Sequence, residues 1–447
     1  MIRQLLLRKC KKLWDKIGNC VYIFKKPQGR LHSSALFCII AGMNVERLRQ
    51  FSCVVIGVSG GPDSMALLDM CRKQQLHIVV AHMNYQKRNS ADRDEKIVQD
   101  YCEKYGIQCE IVKQTKEGKG NFQAFAREER YLFYEQLLHK YEATCVLLAH
   151  HLDDHIETYL MQKQRNSLVS YYGISEDTIV YRCRIVRPLL HMTKSDLEQY
   201  CHLHHVPYGI DESNLSDDYT RNQIRHTIVE PMSREEKQLM CKTIDLENIQ
   251  RQSVIIESEQ FLSNWDFSVA SLLKLKADVM YQCISSWVFE TCKIRLSNKE
   301  LSIIHDLMKK GKHWSRDIKQ TYVIYEEYGT LWIDDKQPST YAYTLHDKKE
   351  LQTPYFQVAM DGTSVEAVTL SEDDFPLMIR NVKQGDSIQM RFGTKKVHRW
   401  FIDRKIPKYY RKRWPVVENV KKEIVLIPGI GCDMKHFSNN PSIFVVK

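Results

Sequence analysis

Ser59-Gly60-Gly61-Pro62-Asp63-Ser64 places two glycines, two hydroxyls and a carboxylate within six residues. Glycines let a backbone turn tightly and approach a ligand. A helix opening at this point adds free N–H groups and a positive dipole end. Together these make a cradle for phosphate, although a simple tight turn uses the same glycines. No Gly-Lys-[Ser/Thr] follows, so this is not a Walker A loop. Further on, His150-His151-Leu152-Asp153-Asp154-His155 concentrates imidazoles and carboxylates. His151, Asp154 and His155 lie at i, i+3, i+4 and could bind a metal. Asp153 and Asp154 could equally be the acidic start of a helix. Arg127 with Arg130, and Arg221 with Arg225, repeat at helical spacing. Each pair suits an anion site or a solvated face.

These residues need elements to position them. Cys53-Val54-Val55-Ile56-Gly57-Val58 is a continuous apolar run, as a buried parallel strand should be. Residues 63–73 follow as a helix with a broad apolar face. Strands are expected at 78–82, 107–112 and 145–149. Between them lie a helix that Ser90 can cap and Gly106 stops, and a long helix over 122–141 with Asn121 as its cap. Strands alternating with helices imply βαβ units and a sheet covered on both faces. Near Arg225 the pattern changes: 232–312 reads as helical, with short strands near Tyr322–Tyr325 and Thr330–Ile333. A polar stretch at 334–339 suits a linker, and from Phe375 a small β-containing unit follows. His202, His204 and His205 read as helix-end polar residues.

The chain has 447 residues and a formal charge of +10, with 43% hydrophobic and 27% charged residues. That composition excludes a disordered, collagen-like or disulfide-framework chain. The longest apolar run is nine residues, 35–43, and a membrane span needs about twenty. Charge is uneven. Residues 1–42 carry nine Lys/Arg against one acid, and 391–422 carry twelve against two, leaving −8 on the rest. In the second segment Lys395, Lys396, Arg399, Lys408, Arg411, Lys412 and Arg413 interleave with Trp400, Tyr409, Tyr410 and Trp414, a composition that suits RNA contact or a solvated face. Residues 1–42 lack the layout of a secretory signal. Met43 is a credible start, which makes 1–42 a dispensable extension; a transit peptide fits as well. The fourteen cysteines form no C-x-x-C pair and read as buried or idle thiols of a reducing cytoplasm.

The S-G-G-x-D-S loop after the first strand resembles the PP-loop of the ATP pyrophosphatase superfamily. Further segments resemble the tRNA(Ile)-lysidine synthase family within it. They are Ala81-His82-Met83-Asn84-Tyr85 with Arg88 and Asp92-Arg93-Asp94, then 121–131 with Arg127, then 149–158 with His-His-x-Asp-Asp. Arg187-Pro188-Leu189-Leu190, Asp211-Glu212-Ser213-Asn214 and Arg221-Asn222-Gln223-Ile224-Arg225 complete the set in order. The resemblance is strong over 51–228 and weaker through 391–432, where Trp400-Phe401-Ile402-Asp403 and Ile406-Pro407 fit a C-terminal domain. Residues 1–42 lie outside it.

The resemblance implies a doubly wound parallel α/β sheet over 43–228 as the PP-loop ATP-binding catalytic domain. A mainly helical substrate domain over 229–340 and a small α+β tRNA-binding domain over 370–447 would follow. It implies a cytoplasmic C–N ligase that joins L-lysine to carbon 2 of the wobble cytidine of CAU-anticodon tRNA(Ile). ATP is the co-substrate, Mg²⁺ accompanies it, and an adenylated tRNA is the intermediate. Ser59, Gly60, Gly61, Pro62, Asp63, Ser64 and His82 would bind ATP, with Asp63 also placing Mg²⁺. Asp153 and Asp154 would hold the lysine cation or take its proton. Arg127, Arg187, Arg221 and Arg225 would steady AMP, the activated base or the tRNA backbone. Oligomeric state is open, a homodimer included. A tRNA thiolase of the same superfamily, or a silent nucleotide-sensing RNA-binding protein, remains as an alternative.

Overall fold

The structure is a computed structural model that describes residues 48, 50–86, 91–113, 122–209, 219–311, 313–336, 340–363 and 365–446. The extension 1–42, Arg88, Ser90, Asn121 and residues 211–214 lie outside the described residues. Two compact units result, Met1–Ser253 and Val254–Lys447.

In the first unit, β1 (Cys53–Gly57), β2 (His77–Asn84), β3 (Gln108–Lys113), β4 (Cys145–Leu147), β5 (Asp177–Val180) and β6 (Cys183–Val186) form one sheet. Its order is β3-β2-β1-β4-β6-β5. All neighbours are parallel except β5, which runs antiparallel to β6. The helices are α1 (Pro62–Lys73), α2 (Ala91–Tyr105), α3 (Phe122–Lys140), α4 (Leu152–Gln164), α5 (Lys194–Leu203), α6 (Tyr219–Ile224) and, as far as Ser253, α7 (Arg234–Leu262). The apolar runs of β1 and β2 are explained by burial on both faces. Val54, Ile56 and Val80 face α1, α2 and α5, whereas Val55, Val79 and Ala81 face Tyr131, Tyr134 and Leu137 of α3. Beneath α1, the buried Asp69 accepts hydrogen bonds from Tyr101 (2.5 Å) and Tyr200 (2.7 Å), tying α1 to α2 and α5.

The first unit extends past residue 228, where the change of sequence pattern suggested a boundary. Ile224, Val229, Met232, Met240 and Ile244 pack against Leu152, Ile156, Tyr159 and Leu160 of α4, so this stretch shares its core with the sheet domain's helix.

The second unit holds α8 (Ala277–Cys292), α9 (Asn298–Lys309) and a three-stranded antiparallel sheet of Trp314–Ile318, Tyr322–Glu327 and Thr330–Asp335. Strand Ala342–Leu345 pairs with Leu377–Asn381 in a five-stranded sheet, so the C-terminal β structure begins before residue 370. Among the described residues, no helix is long and apolar enough to cross a membrane.

Candidate active site

The chain leaves β1 toward β2 on one side, and β4 lies on the other. Such a switch point opens a crevice at the carboxyl ends of the strands, where open α/β sheets bind ligands. The Ser59–Ser64 loop lies here. Ser59 N–H donates to Ser64 Oγ (3.1 Å), the two hydroxyl oxygens are 3.1 Å apart, and Ser64 Oγ–H donates to the Gly61 carbonyl (3.0 Å). Gly60 has φ +90°, and a Cβ there would lie 2.9 Å from Asp94 Cβ, so a side chain is excluded twice over. Pro62 opens α1, where its missing N–H costs nothing. Asp63 follows in the first turn, at the positive end of the helix.

A 270 Å³ cavity faces the loop, lined among others by Ser59, Asp63, Ser64, Met83, Arg130 and His150. Asp63 Oδ1 is buried without a hydrogen-bond partner, and burial pushes the Asp63 pKa up. A buried carboxylate oxygen aimed at a phosphate cradle fits a cation such as Mg²⁺, which would reverse that shift. Among the described residues, no group of three or more His, Cys, Asp or Glu is arranged to hold a metal by itself. His155 in particular is spoken for: its Nδ1 accepts the Ile174 N–H (3.0 Å), and burial lowers its pKa to about 4.

The structure places His82 elsewhere than the sequence suggests. Side chains alternate across a strand. Ala81 and Met83 line the cavity, so His82 points to the opposite face. There its Nδ1–H donates to the Val58 carbonyl (2.8 Å), supporting the loop from beneath. Burial holds the ring's pKa down, which keeps it neutral.

The two adjacent carboxylates also separate, because consecutive helical residues point about 100° apart. Asp154 turns toward the phosphate loop. Its Oδ2 lies 3.4 Å from His151 Nε2, which is itself 3.7 Å from Asp63 Oδ2, so His151 stands between the two acids. Asp154 Oδ1 accepts from Arg221 (2.9 Å). One turn on, the fully buried Glu157 accepts from Arg221 Nε (2.8 Å) and Arg225 Nε (2.6 Å). Burial works to raise the Asp154 pKa, but His151, His150 and Arg221 outweigh it and hold the carboxyl below its ordinary range. Asp153 faces the other way, and its Oδ2 meets Lys237 Nζ at 2.5 Å. It is not open to a substrate cation as it stands.

The arginines divide similarly. Arg187 is buried and donates to the Ser175 carbonyl (2.6 Å) and to His150 Nδ1 (3.3 Å). Burial pushes the His150 pKa down to about 4. Arg130, not Arg127, lines the cavity; Arg127 is exposed and lies over the Tyr131 ring, 5.1 Å from its centroid. Sequence reasoning thus gave no site role to His150, Glu157 and Lys237, and offered His151 only as a metal ligand and Arg130 as an anion-site or solvated-face residue. Four of them sit in motifs it had quoted, and His-His before Asp-Asp was a usable signal. For Lys237 no local pattern existed.

In the second unit, the basic–aromatic segment is partly core. Trp400 and Trp414 pack with Val397, Phe401, Val416 and Ile427, and Trp414 Nε1–H donates to the Pro428 carbonyl (2.8 Å). Arg413 pairs with Asp334 at 2.8 Å, and Arg411 donates to the Ile406 carbonyl at 2.5 Å. Lys395, Lys396 and Arg399 remain exposed beside the hairpin tip at Phe392, which is 98% exposed.

Residues 40–232 match the family described as PP-loop domain. The sheet order, the loop and this match define a PP-loop protein. Residues 377–444 match the TilS substrate C-terminal domain. The chain is 32% identical over 429 residues to tRNA(Ile)-lysidine synthase of Bacillus cereus, covering 85% of this chain and 89% of that one. It is 30% identical over 440 residues to the Bacillus subtilis enzyme of the same name, covering 84% and 89%. Among solved structures it is similar to the U34-tRNA thiolase NcsA from Methanococcus maripaludis, at 13% identity and a TM-score of 0.42, covering 49% of this chain and 79% of that one. The chain belongs to the tRNA(Ile)-lysidine synthase family.

Proposed function

We infer that the protein is an ATP-dependent ligase that joins L-lysine to carbon 2 of the wobble cytidine in CAU-anticodon tRNA(Ile). The reading is carried by one arrangement: a phosphate cradle at Ser59–Ser64 with Asp63, His151 and Asp154 in line beside it. The cytidine O2 attacks the α phosphorus of ATP, and pyrophosphate leaves. The neutral lysine ε-amine then attacks carbon 2, AMP departs with the oxygen, and the amine loses a proton. A cytoplasmic setting fits free ATP, lysine and tRNA.

Backbone N–H groups of Gly60 and Gly61, with the hydroxyls of Ser59 and Ser64, hold the phosphates. Asp63 would hold Mg²⁺, which supplies charge neutralisation at those phosphates when bound. Arg130 lines the crevice and would meet its anionic ligand, Arg187 stands behind His150, and Arg127 lies on the exposed face of α3 over Tyr131. Asp154 is suited to hold a cationic amine rather than to take its proton, since its neighbours favour the charged carboxylate. Arg221 and Arg225 then act as its steady partners and can meet AMP or tRNA phosphate. The first unit, through Ser253, would be the catalytic domain, the helices and three-stranded sheet that follow would be the substrate domain, and the β structure from Ala342 onward a tRNA-binding domain.

The test is dependence. AMP should form only when ATP, CAU-anticodon tRNA(Ile) and lysine are all present. AMP formation that ignores lysine but needs a sulfur donor would favour the thiolase reading. The RNA-facing cations are expected at the hairpin. Reversing Lys395 and Lys396 to Glu should weaken tRNA binding about tenfold and leave ATP binding unchanged. Equal tRNA affinity would return that face to plain solvent exposure.

A further inference from the structure

Among the described residues of the first unit, Asp153 and Lys237 form the most enclosed ion pair. Asp153 is 5% exposed and Lys237 7%, with 2.5 Å between Oδ2 and Nζ. The other oxygen of Asp153 accepts the backbone N–H of Lys194 at 3.4 Å, at the start of α5. One carboxylate therefore links three elements: the first turn of α4, the start of α5 and the first turns of α7. Charges this buried are costly unless paired, and breaking such a pair costs more than forming it gains.

The position gives the pair a consequence for chemistry. The next residue along α4 is Asp154, which faces Asp63, His151 and Arg221. Asp153 points away from the phosphate loop, so a substrate ammonium group on the loop side meets Asp154, where Arg221 and Arg225 already hold the carboxylate in place. We propose that Lys237 is a positioning residue for the lysine substrate: through its buried ion pair with Asp153 it fixes the turn that presents Asp154 on the loop side. Lys237 acts through Asp153 and need not touch substrate. The proposal rests on the reading of lysine as the co-substrate and adds the residue that holds the Asp154-bearing turn in place.

The test uses the full-length protein with ATP, tRNA and lysine. Lys237→Ala leaves Asp153 an uncompensated buried anion and loosens the first turn of α4, which carries Asp154. Its KM for lysine should rise at least tenfold, with KM for ATP within about twofold of the parent. Butylammonium added to this variant should lower the KM for lysine again by filling the vacated site. Lys237→Arg should keep most of the parent's lysine KM. If Lys237→Ala does not fold, Asp153→Asn with Lys237→Met removes both charges at similar volume. That double variant should fold, with a several-fold higher lysine KM. A lysine KM equal to the parent's in either folded variant, with only thermal stability reduced, overturns the proposal. A parent enzyme that incorporates no lysine at all would instead sink the functional reading, so the two failures are distinct.

Discussion

Replacing Asp63 by Asn is expected to lower AMP formation by about a thousandfold while leaving the fold intact. The residue sits in the first turn of α1 with one oxygen buried and unpaired beside the phosphate cradle. Asn keeps the shape and can still sit at a helix start. It removes the negative charge that a phosphate-bound cation needs, and losing one preorganised electrostatic group typically costs two to three orders of magnitude, about 10²–10³. Circular dichroism should be unchanged, since burial already pushes the Asp63 pKa up and its charge does not hold the fold together. Activity within tenfold of the parent would remove Asp63 from the mechanism.

Glu157→Gln carries the second large effect, and it falls on stability as well as activity. Glu157 is fully buried and accepts from both Arg221 and Arg225. Removing its charge leaves two guanidinium groups sharing Asp154 alone. Breaking one side of a buried pair costs about 3–5 kcal/mol, and the low end applies here because both arginines reach water at one edge. Denaturant unfolding should therefore show a loss of about 3 kcal/mol. Turnover should fall as well, because Arg221 and Arg225 lose the group that aims them. The remaining pairing depends on Asp154, whose pKa is held below its ordinary range. That contribution is present above about pH 4 and is lost as the pH falls further. An unchanged unfolding midpoint would show that the arginines are anchored elsewhere.

Much of the first unit was legible in the sequence. Buried parallel strands write themselves as continuous apolar runs, which is why β1, β2 and β4 could be read from composition alone. The β5–β6 hairpin could not. Its turn at Tyr181 and Arg182 has positive φ at both residues without the Gly or Asn that usually marks such a turn. The extent of the first unit was also hidden. Whether α7 packs against α4 depends on residues such as Met240 and Ile244, and helical periodicity does not say which partner a face meets.

The site divides along the same line. The phosphate loop was readable because its glycines are demanded by local backbone geometry, as Gly60 shows. The orientation of each side chain was not. His82 fell on the wrong face for the cavity by one position of strand alternation. Asp153 and Asp154 read as a pair, yet one helical step sends them to different partners. Trp400 and Trp414 read as RNA-facing aromatics, yet their neighbours Val397, Phe401 and Val416 make them core. In each case the residue type was informative and the tertiary partner decided its role.

The crevice beside Ser59–Ser64 is where lysine-modified cytidine is expected to form. The most direct measurement incubates the protein with ATP, Mg²⁺, labelled lysine and CAU-anticodon tRNA(Ile), then digests the tRNA to nucleosides. Label is expected on a single nucleoside, a cytidine heavier by lysine less one water, from the wobble position. Label that stays free while AMP and pyrophosphate are released, or a sulfur-containing nucleoside in its place, would contradict it.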